Sequence, residues 1–486
     1  MKWSYNNLKK LFQKNVEERR DEILNGPIIK TILVLAIPVM ISSALHTAFN
    51  IVDTFWLGKL GSAEVGAPTA AWPIIFSFLA IGMGLSTAGV SLVSQHTGAG
   101  GKKQANEAAG QVFGFVMVIG ITTGVIGFII APFVLSLVGT PPDVFPLATS
   151  YLRIVLLSMP FIYAYISFRF LLRGIGDMIT PMFIRAVLVI FNLILDPILI
   201  FGVDSLGIPA LGVTGAAIAT ASSRTIAAIV GIYLLFNGRV NINLSLKDLK
   251  LKFSWIKQIV KIGLPATIAR AGSALGFIFL FAIVAVFGEK SVAAYGIGRR
   301  VVHVITIAIW GFAGASMTMV GQNVGAEQTE RAENIVKKSI LVAMVIMFSI
   351  SGLMVLFRES VIQVFINDPE VIRIGAKYLL IFSISIPFFG IYRIFDSTFR
   401  GTGHTAPAMT LSLFRIWILR LLLSALIALP FIDLYLFKID FGFGLGITGV
   451  WIGMALSNFI IAFLSFGYFL TGHWKKKTIK EREGEG

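Results

Sequence analysis

The chain has 486 residues, of which 56% are hydrophobic and only 14% are charged. Soluble proteins usually carry about 25% charged residues, so this composition excludes an ordinary water-soluble enzyme and favours a surface that faces lipid. The net charge of +16 does not indicate a nucleic-acid partner, because the lysines and arginines flank apolar runs. There are no cysteines, which excludes disulfides, thiol catalysis and cysteine-ligated metals.

Twelve apolar segments are long enough to cross a membrane, which takes about 20 residues each. In chain order they lie near residues 31–56, 70–95, 108–138, 147–172, 182–203, 212–236, 257–287, 295–321, 335–357, 371–398, 408–431 and 446–470. We therefore predict an all-α integral membrane protein with twelve transmembrane helices. The residues before the first segment are polar and charged, unlike a cleaved signal peptide, so this segment is expected to remain as a helix.

The basic residues predict the orientation. They occur in both termini and in alternate loops, whereas the loops 139–146 and 204–211 contain no Lys or Arg. Positive charge is enriched on the cytoplasmic side of membrane proteins, so both termini are expected to be cytoplasmic and the protein to lie in the plasma membrane.

The second half of the chain repeats the first. IPVMI at 37–41 matches LPATI at 264–268, RGIGDMITP at 173–181 matches RGTGHTAP at 400–407, and GVTGAAIAT at 212–220 matches GITGVWIGM at 446–454. Each repeat holds six spans, an even number, so the two repeats are expected to be parallel. The predicted parts are a cytoplasmic segment 1–30, an N-lobe 31–236, a cytoplasmic linker 237–256, a C-lobe 257–470 and a cytoplasmic tail 471–486.

Acidic residues inside membrane spans are costly and tend to be functional. Asp53 on helix 1 and Asp196 on helix 5 are expected at similar depth, with Asn192 one turn before Asp196 and Thr214 at the start of helix 6. Two carboxylates close together in a low dielectric cannot both ionise cheaply, so this set suits a bound H⁺ or Na⁺. The alternatives are that Asp53 contacts water at the outer interface and that Asp196 only belongs to a helix break at Pro197.

Helix 1 carries further candidates. His46, Phe49, Asn50 and Asp53 share one face at helical spacing, which suits contact with an amphipathic substrate but also ordinary helix packing. Pro38 on the same helix predicts either a bend coupled to charge neutralisation or a static kink.

Asp396 has a different setting. It lies three residues after Arg393 and four before Arg400, a spacing that favours ion pairs over a cation site. Walker, HExxH and G-x-S-x-G motifs are absent from the sequence, so no enzymatic activity and no cofactor other than a coupling ion is expected.

With these motifs the chain resembles the multidrug and toxic compound extrusion (MATE) family. The resemblance covers LNGPIIKTILVLAIPVMI at the start, NIVDTFWLGKLG at 50–61, SQHTGAG at 94–100, RGIGDMITP at 173–181 and NLILDPILIFG at 192–202. The LDP of helix 5 is similar to the DinF-like branch. Ser273 stands where other branches place a helix 7 carboxylate, so a cation site in the C-lobe is not expected.

The resemblance implies a V-shaped pair of lobes that exports organic cations and drugs in exchange for H⁺ or Na⁺. In the DinF-like branch two Asp, one Asn and one Thr of the N-lobe carry the cation, and these types match Asp53, Asp196, Asn192 and Thr214. It also implies that helix 1 bends, which would involve Pro38. The expected partners are amphipathic small molecules and membrane lipid, with the protein a monomer and no nucleic acid bound.

A lipid-linked precursor flippase of the same superfamily is the alternative. A flippase for anionic headgroups should line its cavity with several basic residues, whereas the predicted N-lobe cluster is acidic. The alternative stays open because four arginines lie within or beside spans, namely Arg153, Arg169, Arg185 and Arg270.

Overall fold

The computed structural model describes residues 15–430, 432–434, 437–439 and 442–479, and these are almost entirely helical. The chain order is α1 Val16–Leu24, α2 Ile28–Gly58, α3 Ser62–Gly98, α4 Lys102–Leu137, α5 Phe145–Leu157, α6 Met159–Gly174, α7 Ile179–Phe201, α8 Gly212–Phe236, α9 Phe253–Ala285, α10 Glu289–Gly325, α11 Thr329–Leu356, α12 Arg358–Gln363, α13 Pro369–Gly401, α14 Thr405–Leu413, a π-helical segment Phe414–Leu422, α15 Leu423–Ala428, β1 Ile432–Leu434, β2 Phe437–Ile439 and α16 Ile447–Leu470. The strands β1 and β2 form an antiparallel hairpin. Short 3₁₀ turns lie at Asp204–Leu206 and His473–Lys475.

The twelve-span architecture is confirmed. In the described part of the chain, eleven helical stretches are long and apolar enough to cross a membrane, and the bent pair α5 and α6 makes a twelfth. The ends of the predicted cytoplasmic segments, residues 1–14 and 480–486, lie outside the described residues.

The fourth predicted span, 147–172, is broken where a single helix was expected. α5 ends at Leu157 and α6 begins at Met159, with a bend of 52° between them. Pro160 explains the break, because proline has no N–H to donate to the carbonyl of residue 156 and its ring clashes with that carbonyl. The matching Pro387 lies inside α13, which runs unbroken from Pro369 to Gly401.

The internal repeat is visible in the backbone. Gly176 and Gly403, at matching places in the two RG motifs, have φ angles of +83° and +84°. Gly100 and Glu327, which also match, have φ angles of +78° and +63°. A non-glycine residue rarely adopts positive φ, so Glu327 keeps the turn geometry that its counterpart Gly100 provides without strain.

The contacts divide the chain into two compact units. The N-unit contains residues up to Asn25 and Ile37–Thr267, and the C-unit contains Gly26–Ala36 and the chain from Ile268 onward. The divisions therefore fall between α1 and α2, inside α2 next to Pro38, and inside α9 just after Pro265.

The segment predicted as an interlobe linker, 237–256, packs against α4 within the N-unit. The amide of Gln111 donates to the carbonyls of Asp248 and Lys250 at 2.8 and 2.7 Å, and its oxygen accepts from the N–H of Lys252 at 2.8 Å. Gly110 allows this close approach, because a Cβ there would lie 2.9 Å from the Asp248 carbonyl oxygen.

The helix α1 is fixed to the N-unit by its arginines. Arg19 forms a buried ion pair with Asp177 at 2.7 Å, and Arg20 donates to the Gly98 carbonyl at 2.8 Å. Asp177 also caps α7, since its carboxylate accepts from the N–H groups of Ile179 and Thr180. One residue of the RGIGDMITP motif therefore holds both α1 and the start of α7.

The C-unit has an aromatic core between α10, α13 and α16. The ring of Trp451 stacks on Tyr295 with centroids 5.8 Å apart and contacts Tyr378 at 4.7 Å. All three side chains are buried. Contacts between aromatic rings contribute to stability in addition to the effect of burying their apolar area.

Candidate functional site

The core of the candidate site is a buried amide–carboxylate pair on α7. Asn192 Nδ2 donates to Asp196 Oδ1 at 2.9 Å, and both residues are almost completely buried. They lie one turn apart, as their spacing predicts. α7 continues through Pro197 to Phe201, so the Asp-Pro pair does not break the helix and that alternative for Asp196 is wrong.

Asp53 of α2 lies within electrostatic range of Asp196. One carboxylate oxygen on each residue, Asp53 Oδ1 and Asp196 Oδ2, is buried and has no hydrogen-bond partner among the described residues. Buried polar atoms normally have a hydrogen-bond partner, so a buried atom without one needs an explanation. Binding of an exchangeable ion at these oxygens is one such explanation. The structure thus brings the two predicted carboxylates together with their free oxygens buried.

Thr214 is half-buried in the first turn of α8. The next residue, Gly215, packs against the backbone of Leu199, where a Cβ would overlap the carbonyl. This contact places the start of α8 beside the end of α7, three residues beyond Asp196. The predicted position of Thr214 near the carboxylate level of α7 agrees with this packing.

Two members of the cluster were missed by the sequence reasoning. Arg224 of α8 interacts electrostatically with Asp53 and with Tyr151 of α5, and Tyr151 is also within range of both carboxylates. Arg224 lies inside an apolar span, which was a sufficient signal to single it out. With both acids and the Arg224 guanidinium charged, these three groups carry a net charge of −1, and Arg185 lies within electrostatic range of Arg224.

The predicted substrate-contact face of α2 is divided. His46 and Asn50 are exposed, whereas Phe49 is only 5% exposed. Pro38 lies near the other end of α2, which is helical from Ile28 to Gly58. The face is therefore polar where it is accessible and apolar where it packs.

The ion pairs predicted for Asp396 are present in the C-unit. Its carboxylate accepts from Arg393 Nη1 at 2.7 Å and from Arg400 Nε at 3.0 Å, and its side chain is 1% exposed. Ser273, at the place of the helix 7 acid of other branches, donates to the Ala269 carbonyl and contacts Ser412.

The donor set of the N-unit fits a small hard cation or a proton. Carboxylate and amide oxygens are the ligands that such cations prefer, and Asp53 and Asp196 each supply a buried free oxygen. Across residues 15–430 and the further described stretches, no cluster of three or more His, Cys, Asp or Glu side chains is present.

The fold and this site define a multi-pass helical membrane protein with a buried acidic cluster in its first half. The MatE family model matches residues 38–198 and 265–426, one match in each repeat, and the chain belongs to this family. Members of the family are membrane transporters and not enzymes. The assignment to the DinF-like branch stays a prediction.

Curated relatives match over almost their full lengths. The chain is 26% identical to the probable multidrug resistance protein YpnP of Bacillus subtilis, covering 93% of this chain and 97% of that protein. It is 28% identical to the probable multidrug resistance protein NorM of Thermotoga maritima, covering 93% and 95%. It is also 28% identical to a FAD transporter of Shewanella oneidensis, covering 84% and 90%.

Solved structures share the fold. A crystal structure of MATE in complex with MaL6 superposes with a TM-score of 0.84 at 24% identity, covering 94% of this chain and 98% of that chain. A MOP superfamily transporter from Pyrococcus furiosus gives the same TM-score and identity, covering 96% and 100%.

Proposed function

We propose that the protein is a secondary active exporter that moves amphipathic small molecules out of the cell in exchange for H⁺ or Na⁺. The relatives are named for multidrug resistance and, in one case, for FAD transport, so the proposal covers organic cations and drugs within a broader class of amphipathic molecules. The observation that carries it is the pair of buried, unsatisfied carboxylate oxygens on Asp53 and Asp196.

Charge balance explains why this pair would bind and release a cation. Arg224 attracts Asp53 electrostatically, whereas the charge that acts on Asp196 is that of Asp53 itself, so one negative charge would stay uncompensated in a buried setting. Burying an unpaired charge costs several kcal/mol, so either a proton or a Na⁺ would complete the cluster. Asn192 holds the Asp196 carboxylate in place by its hydrogen bond, and Thr214 is the proposed hydroxyl ligand from α8.

Loading of the cluster would change the forces on α2. Asp53 lies on α2, whereas Asp196 lies on α7. Binding of a cation between them would therefore alter how strongly α2 is attracted to α7 and α8. Pro38 lacks an intrahelical hydrogen bond and is the position in α2 at which bending costs least. The accessible side chains His46 and Asn50 are proposed to meet the substrate, with Phe49 supporting the helix from within.

The proposal includes the cellular setting. The protein would act as a monomer in the plasma membrane with both termini in the cytoplasm. The basic loops support this orientation, as does the docking of α1 on the same edge of the N-unit that carries Gly98 and Asp177.

The proposal is tested by measuring ethidium and norfloxacin efflux from cells that lack their own exporters. Asp196→Asn and Asp53→Asn should each reduce energised efflux to the level of empty-vector cells, since an amide carries no negative charge to hold Na⁺ and takes up no proton at physiological pH. Asp143→Asn is the matched control, because Asp143 is exposed in the loop between α4 and α5, and it should leave efflux unchanged. Efflux at the wild-type rate from the Asp53 and Asp196 variants, at equal membrane abundance, would rule out their assigned role.

A further inference from the structure

The C-unit contains an excess of buried positive charge. Arg393, Arg400 and Arg415, on α13 and the π-helical segment, lie around one acid, Asp396. Together these four residues form the arginine cluster. Three guanidinium groups and one carboxylate give a net charge of +2, and uncompensated charge at this depth is unfavourable without a partner.

Asp396 is already used by two of the arginines. Both of its oxygens accept from Arg400 Nε at 3.0 Å, and one also accepts from Arg393 Nη1 at 2.7 Å. Arg415 is 6% exposed, and its Nε and Nη1 have no hydrogen-bond partner within the described chain. Nε of Arg393 and Nη1 of Arg400 are also unsatisfied there. Four buried N–H-bearing atoms of the cluster therefore have no acceptor.

Aromatic contacts leave most of these donors unsatisfied, although the Tyr392 hydroxyl interacts with the Arg415 guanidinium. The Arg415 guanidinium lies 5.3 Å from the ring centroid of Phe389 and 5.2 Å from that of Tyr392. Cation–π attraction acts on the positive charge through the ring face and is worth about 0.5–2 kcal/mol. It supplies no lone pair to the edge of the guanidinium, which is the part that hydrogen-bonds.

The π-helical segment brings a fourth arginine, Arg420, towards the cluster. Arg415 and Arg420 are five residues apart in the π-helical segment Phe414–Leu422, and five residues is the hydrogen-bond spacing of a π-helix. Their guanidinium groups interact electrostatically. Arg420 donates to Ser457 at 3.1 Å and to Asn458 at 2.7 Å, which are neutral, so its charge adds to that of the cluster.

The cluster is accessible at one edge. The Arg393 guanidinium lies 4.2 Å from the ring centroid of Trp310, and its side chain is 16% exposed. Trp310 itself is exposed on α10. A molecule at this edge would meet an aromatic ring first and then the unsatisfied guanidinium donors.

We propose that the arginine cluster binds an oxyanion, a carboxylate or phosphate group carried by a transported amphipathic molecule. The planar guanidinium has the geometry to hold such a group with two parallel hydrogen bonds. The unsatisfied Nε and Nη1 of Arg415 lie on different edges of its guanidinium, so each supplies one donor to the oxyanion or its surroundings, and the anion offsets the surplus charge. This inference rests on the proposed transport function and extends its substrate class to acidic and zwitterionic molecules.

The test measures binding to the purified full chain in neutral detergent, with inorganic pyrophosphate as a phosphate probe and succinate as a carboxylate probe. Calorimetric titration at constant ionic strength should show saturable binding of at least one probe to the wild type. Arg415→Gln should weaken that binding tenfold or more, and Arg415→Lys should weaken it less. Arg358→Gln, in the same unit and half-exposed, is the matched control and should bind like the wild type.

Thermal melts of the same samples show whether each variant is folded. If Arg415→Gln fails to fold, the comparison of Arg415→Lys with Arg358→Gln decides. Absence of saturable binding to the wild type, or equal loss in the Arg415 and Arg358 variants, would overturn the proposal. Asp196→Asn protein should bind the probe like the wild type, so a failure of cation coupling is distinguishable from a failure of oxyanion binding.

Discussion

Replacing Asp396 by Asn is predicted to destabilise the C-unit strongly. The carboxylate is 1% exposed and accepts from both Arg393 and Arg400, so the substitution leaves two buried guanidinium groups without their anion. Removing one partner of a buried ion pair typically costs about 3–5 kcal/mol. For a unit of this size each kcal/mol lowers the melting temperature by about 2–4 °C, so a fall of about 6–20 °C is expected.

Glu333→Gln is the matched control for this measurement. Glu333 also accepts from two cations, Lys337 at 2.8 Å and Lys475 at 2.7 Å, but Lys337 is exposed and Lys475 only half-buried. Such pairs contribute about 0–1 kcal/mol, so this variant should melt within a few degrees of the wild type. The two variants each remove one carboxylate from two cations, and the sites differ chiefly in the burial of the ion pairs.

The assay is tryptophan fluorescence of the purified chain during heating, to which Trp310, next to Arg393, contributes as one of eight tryptophans. The double variant Asp396→Asn, Arg400→Gln removes one of the stranded guanidinium groups and should recover part of the lost stability. If Asp396→Asn and Glu333→Gln shift the melting temperature equally, or if the double variant is simply additive, the argument from burial is incorrect.

Two further predictions concern packing. Gly401→Ala should destabilise the C-unit by about 1–3 kcal/mol, because the new Cβ would overlap the Met317 carbonyl oxygen of α10. Gly352→Ala in α11 is the control. Its Cβ would meet no atom, so this variant should have neutral or increased stability in the same thermal melt. Arg19→Ala should release α1 by removing its buried pair with Asp177, so limited proteolysis should cut near residue 25 faster than in the wild type or in the exposed control Glu17→Ala. Equal melting of the two glycine variants, or equal cleavage of all three chains, would contradict these assignments.

The spans were predictable because each is a long apolar run, and the repeat was readable because the RG motifs need glycine at a fixed backbone position. Gly176 and Gly403 show this, since both adopt left-handed φ angles. The bend at Ser158 was not predictable, because Pro160 and Pro387 have the same local pattern but only Pro160 interrupts its helix. Neighbouring elements decide whether a proline in a membrane helix becomes a break.

The site was predictable in part. The spacing of Asn192 and Asp196 fixes their contact within one helix, and the acid on α2 was a candidate by its depth. Arg224 and Tyr151 were missed because they come from α8 and α5, and only tertiary packing brings these helices to Asp53. The same limit applies to Phe49, whose burial depends on neighbours that the sequence pattern does not specify.

Reconstitution into liposomes with separately imposed H⁺ and Na⁺ gradients tests the exchange of one cation at Asp53 and Asp196 most directly. The wild type should drive accumulation of a fluorescent amphipathic cation under at least one of the two gradients. The Asp196→Asn protein should respond to neither while Asp143→Asn responds normally. Gradient-driven accumulation by a protein in which Asp53 and Asp196 are both Asn would show that coupling lies elsewhere in the chain.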